Sequence, residues 1–210
     1  MKKLMCCMLL AAAVGCQTAY YGAMEAVGLH KRDILVERVE GARDAQEEAK
    51  ETFASALDEF RSVVNIRGGE LEEQYEQMRA ALERSEARAA EVRDRVDAVE
   101  DVAEALFVEW EAELDEYSSD HLRRQSARKL RDTRERYERL MRAMRRAEAR
   151  MEPVLEPLRD QVLYLKHNLN AQAIAALEDE LVTVQADVDA LIRDMEEAID
   201  EANNFIAQMR

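Results

Sequence analysis

The sequence predicts an all-α protein, an elongated antiparallel helical bundle or coiled coil of about four long helices, and three observations carry that prediction. Apolar residues recur at steps of three and four through most of the chain after residue 31. All six glycines lie at or before position 69 and the only prolines are Pro153 and Pro157, so residues 70–210 run without one glycine. Charged residues make up 36% and aromatics 5% of the 210 residues, a balance unsuited to β-sandwiches or α/β enzymes, which need many chain reversals. The hydrophobic share of 48% still suffices for a core. No uninterrupted apolar run reaches the roughly 18 residues that a membrane-spanning helix needs.

The first fifteen residues read as a leader. Met1, Lys2 and Lys3 form a short basic start, and residues 4–14 are an apolar stretch too short to cross a bilayer but suited to secretion. The stretch ends in Ala13-Val14-Gly15-Cys16, small residues before a cysteine, which resembles the lipobox of bacterial lipoproteins. Cleavage there leaves Cys16 as the lipid-bearing N-terminus, and several acyl chains give durable anchoring where one does not. Ala13 stands where Leu is usual. Gln17, rather than Asp, resembles the sorting signal for the Gram-negative outer membrane. Cys6 and Cys7 leave with the leader, so the mature chain has neither a free thiol nor a disulfide.

Residues 16–30 read as a lipid-anchored tether with two glycines, the Tyr20-Tyr21 pair and Glu25, and residues 31–210 as the helical bundle. The first helix is expected near 31–64, on a seam from Leu35 to Val63 broken by Gln46. Asn65 to Gly69 ends it, since Asn and Gly readily adopt the left-handed conformation that terminates helices.

The second helix is expected near 70–117, with a seam running from Leu71 through Trp110 and Leu114 to Tyr117. Ser118-Ser119-Asp120 is a break with a ready N-cap. The third is expected near 120–168 on a seam from Leu122 and Ser126 to Leu165 and Leu169. Pro153 and Pro157 interrupt its backbone but not its apolar phase, so a kink or restart is expected near Met151. A reversal at 168–170, with Asn170 as cap, is expected to lead into a fourth helix near 171–209; the alternative is one very long third helix running through it.

Charge patterning supports an antiparallel middle pair. Residues 121–150 carry twelve Lys and Arg against four Asp and Glu, whereas residues 88–117 carry eleven Asp and Glu against three Arg. A reversal between 117 and 121 sets the two segments side by side, and flanking charges of this kind select register and partner. The rival reading is a surface for anionic lipid, while nucleic acid is not expected as a partner.

No catalytic or metal constellation emerges. None of His30, His121 and His167 has a Glu three residues before it or a His four residues away, Gly68-Gly69 lacks phosphate-loop spacing, and no cofactor is expected. The segment 161–174, QVLYLKHNLNAQAI, is less charged than its surroundings and rich in amides. Lys166, His167, Asn168, Asn170 and Gln172 are its candidate partner-contact residues.

The blocks KRDILVERVEGARDAQEEAKE, VDAVEDVAEALFVEWEAEL, RAMRRAEARMEPVL and LKHNLNAQAIAAL together resemble an uncharacterised family of proteobacterial envelope proteins, a domain of unknown function with lipoprotein leaders. The resemblance implies an envelope address and a helical fold, and it brings no catalytic residues. The expected function is that of a lipid-anchored structural spacer or adaptor, not an enzyme, held to the membrane through Cys16. It would dock an unknown envelope protein and possess seams that allow homo-oligomers. A holdase-like chaperone or lipid-handling module is the alternative.

Overall fold

A computed structural model describes residues 30–64, 71–168 and 171–210. Four helices account for nearly all of them: α1 (Lys31–Val64), α2 (Leu71–Glu113), α3 (Asp120–His167) and α4 (Ala171–Met209), with a 3-10 turn at Leu114–Glu116 closing α2. No strand occurs among the described residues. The fold is therefore all-α, and the helix limits agree with the sequence reading except that α2 ends in a tighter last turn.

Local chemistry sets the ends. The carbonyl of His30 accepts bonds from the amides of Asp33 and Ile34 at 2.9 and 3.1 Å, and Asp33 places a negative charge in the positive first turn of α1. Ser119 caps α3 by accepting from the Leu122 amide at 3.4 Å. At the far end of α3 the Asn168 amide donates to the Leu165 carbonyl at 3.1 Å, and its side chain donates to the Tyr164 carbonyl at 3.0 Å.

The helices pack in a ring: α1 on α2, α2 on α3, α3 on α4, and α4 back on α1. Antiparallel pairing holds throughout. Lys31 of α1 meets Glu109 near the end of α2 at 2.7 Å, while Ser62 donates to Gln74 at 3.2 Å at the opposite end. Arg43 of α1 reaches Asn203 of α4 at 3.2 Å, and Arg146 of α3 meets Asp194 of α4 at 3.3 Å. This is an up-down-up-down four-helix bundle. With 48 residues, α3 runs roughly 70 Å at helical rise.

One continuous core fills the ring, from Leu35, Phe53 and Phe60 on α1 through Val92 to Val102 on α2, Leu140 to Leu165 on α3, and Leu177 to Met209 on α4. Alanines 42, 45, 49, 89, 147, 198 and 202 are all buried, and such small side chains allow close approach of backbones. The expected kink or restart near Met151 does not divide the helix. The helix passes through Pro153 and Pro157 without a restart, and Met151, Val154, Leu155 and Leu158 remain buried on the same face. Packing of that face outweighs the two lost backbone bonds.

Two expectations need correction. The seam of α2 and α3 does not extend to their common tip: between Phe107 and Leu130 no residue is buried, with Tyr117 and Leu122 exposed and Trp110, Leu114 and Ser126 half-buried. Helix α1 starts level with Glu109, so the outer pair stops short and the inner hairpin overhangs it. Two helices cannot enclose a side chain as four do. The register also differs: a reversal between 117 and 121 would set Arg145 opposite Arg93, but it bonds Asp97 at 2.7 Å and also Glu100, about one turn further along.

Candidate functional site

Of the residues proposed from sequence, Lys166, His167 and Asn168 are described. Cys16 and Asn170 lie outside the described residues, and Gln172 falls on α4 in the stretch whose side chains are not described. Lys166 and His167 are exposed in the last turn of α3, where the Lys166 ammonium complements the negative helix end. Asn168 is occupied in capping. These three stand at the corner between α3 and α4.

The amide-rich segment does contribute to a cleft one turn earlier. It lies between α3 and α4 and measures about 520 Å³. Glu156, Asp160 and Tyr164 border it from α3, and Glu180 borders it from α4. Pro157 is half-buried beside them, while Gln161 and Leu177 are 5% and 2% exposed and form its inner surface. The Gln161 Oε1 is buried with no hydrogen-bond partner among the described residues. The sequence reading included Gln161 and Tyr164 in its segment but passed over Glu156, Asp160 and Glu180. In a chain with 45 acidic residues, three carboxylates carry no signal until the helix register sets them around one space.

The basic segment divides into two parts. Its second half pairs within the chain: Arg134 with Glu111 at 2.7 Å, Arg145 with Asp97, Glu100 and Glu148, and Arg146 and Arg150 with Asp194 on α4. Burial opposes the charge of Arg145, yet the bonds to Glu148, Glu100 and Asp97 hold its guanidinium protonated well above its ordinary range. The first half, on the overhang, has Arg124, Arg128, Lys129 and Arg131 exposed without an ion pair among the described residues. Arg123 pairs with Asp120 at 3.2 Å. The overhang is clasped by the Trp110 indole, which donates to Ser126 Oγ at 2.8 Å.

Beside the clasp, Phe107 and Tyr137 meet edge to face at 5.3 Å, and the Arg134 guanidinium lies 5.0 Å from the Phe107 ring centre. Burial, reinforced by Glu100, pushes the Tyr137 hydroxyl up to about 12. Among the described residues no three His, Cys, Asp or Glu side chains gather closely enough to hold a metal ion, and no helix is long and apolar enough to cross a membrane.

These features define an elongated four-helix bundle with a continuous apolar core and a cleft between α3 and α4. The chain belongs to the family described as protein of unknown function (DUF2959), whose model matches residues 20–209. No curated protein matches it.

Proposed function

We propose that this protein is a lipid-anchored coiled-coil lipoprotein on the periplasmic face of a Gram-negative outer membrane, where it acts as a structural spacer or adaptor. The observation that carries the reading is the union of an apolar leader ending at Cys16 with a rod of roughly 70 Å. Thirteen residues separate Cys16 from His30, so an anchor there would attach at one end of the rod. A rigid bundle carries a docking surface away from its anchor, which is what a spacer requires. The reading assigns no catalytic residue.

The test is fractionation of cells expressing the wild type and Cys16→Ser. The wild type should sediment with outer membranes and incorporate labelled palmitate, and the variant should do neither. Sedimentation of the variant with membranes would overturn the anchor.

A binding module is the second reading, favoured by the cleft between α3 and α4. As a holdase, the purified protein would suppress aggregation of unfolded outer-membrane polypeptides at stoichiometric ratios. Unchanged aggregation would remove that version of the reading.

A further inference from the structure

We propose that the overhanging tip of the α2–α3 hairpin docks on an anionic phospholipid bilayer. On α3, residues 121–131 contain five Lys and Arg and no Asp or Glu. Arg124, Arg128 and Arg131 recur at steps of four and three, so they form one exposed ridge of about 10 Å along the helix. Lys129 is exposed as well. None of these four has an ion-pair partner among the described residues, whereas Arg134, Arg145, Arg146 and Arg150 further along the same helix are all paired. Pairing within the bundle accounts for the second half of the basic segment and not for the first.

Apolar side chains at the same place point to lipid independently of charge. Leu122 is 51% and Tyr117 41% exposed at the end of the hairpin, and Trp110 and Leu114 behind them are only half-buried because the outer helices stop short. A leucine and an amphipathic tyrosine flanked by arginines suit the boundary between acyl chains and headgroups, with the rings and methyls entering and the guanidinium groups meeting phosphate.

The carboxylates of the overhang decide which flank faces the lipid. Glu109 and Glu111 are held by Lys31 and Arg134, and Asp120 by Arg123. Glu113, Asp115 and Glu116 are exposed on α2 and its closing turn. The rod therefore tilts so that α3 meets the surface and α2 turns away. A net charge of −15 over the whole chain confines the attraction to this end. The inference rests on the membrane address proposed above, which brings a bilayer within reach, but makes no use of the lipid on Cys16.

Trp110, the only tryptophan, stands on the overhang and supplies the readout. The purified full chain is reconstituted with vesicles of phosphatidylcholine, alone or mixed with phosphatidylglycerol, whose headgroups carry a nitroxide. Flotation measures attachment, and quenching of Trp110 measures docking of the tip. Quenching should be well above the phosphatidylcholine level when phosphatidylglycerol is present, and should fall to that level at high salt. Arg124→Gln/Arg128→Gln should lower the ratio of docked to free tips by roughly tenfold or more, with thermal unfolding unchanged because both side chains are exposed and unpaired. Leu122→Gln should also weaken docking. Arg79→Gln/Lys166→Gln removes as much charge at the opposite end of the rod and should leave the ratio within about twofold. Equal quenching in the two lipids, or equal loss in the two double variants, would overturn the proposal. So would a change in Trp110 emission and a doubled mass that grow with protein concentration without lipid, which would give this face to a second copy. Failure to float with phosphatidylcholine alone counts against the anchor and not against the tip, so the two readings fail separately.

Discussion

Gln46 is wholly buried in the middle of α1, and both atoms of its amide lack hydrogen-bond partners among the described residues. Its neighbours along the buried face are Ala42, Ala45 and Ala49, none of which offers a side-chain polar group. Replacing an unsatisfied amide with an apolar group of similar length removes a desolvation cost. Gln46→Met should therefore stabilise the protein by about 1–2 kcal/mol, read as a higher urea midpoint at unchanged slope. A lower midpoint would show that the amide has a bonding role in solution. Tyr137 offers a second test. Its folded value near 12 lies above the ordinary value of 10.0, so the folded state holds the phenolic proton more tightly than the unfolded chain. The stabilisation is fully present below pH 10 and declines as pH rises through the interval up to about 12. One of the six tyrosines should ionise last in an absorbance titration, and Tyr137→Phe should abolish that late step. The broken seam at Gln46 was visible in the heptad pattern. Tyr137 is half-buried against Phe107 in an edge-to-face geometry that depends on register.

At the scale of elements, the α2–α3 hairpin is held by a line of ion pairs and ends in a tip that no other described helix covers. Arg145 joins three carboxylates, Asp97 and Glu100 across the hairpin and Glu148 one turn along its own helix. Exposed pairs contribute little singly, but this side chain is the centre of a network. Arg145→Ala should lower stability by about 1 kcal/mol. Reversing several charges within 134–150 should lower the melting temperature more than the same number of reversals within 123–131, where only Arg123 has an ion pair among the described residues. Equal losses in the two halves would contradict the division described above. The tip depends instead on the Trp110–Ser126 bond. Trp110→Phe should speed amide hydrogen exchange in residues 110–130 while leaving residues 140–165 protected, because local opening there requires no disruption of the four-helix core. Helix limits were legible because a seam and its caps are local. The overhang was not, since the three-four pattern of Leu114, Tyr117 and Leu122 says that a partner would fit without saying that one is present. The cleft was illegible for a related reason: Glu156 and Glu180 lie on different helices, and only their register brings them to one space.

At the scale of the whole molecule, polarity along the rod links architecture to the proposed address. Helix α1 begins, α4 ends and the α2–α3 tip projects at one end, while the α3–α4 corner and the cleft between these helices lie toward the other. The fourteen residues 17–30, even fully extended, reach no more than about 50 Å. From Leu122 to Lys166 along α3 is about 66 Å. A molecule anchored at Cys16 and standing on its tip would therefore hold Leu122 within tether reach of the bilayer and Lys166 beyond it. Single cysteines at these two positions, in a chain whose leader cysteines have been removed, allow a direct measurement. A fluorophore at position 122 should be quenched by lipid-borne nitroxides, whereas one at 166 should not. The exposed Arg124, Arg128, Lys129 and Arg131 favour this polarity on an anionic surface, and the acidic α4 opposes lying flat on it. Equal quenching at both positions would mean that the rod lies along the membrane, and a spacer role would then be lost even with the lipid anchor intact.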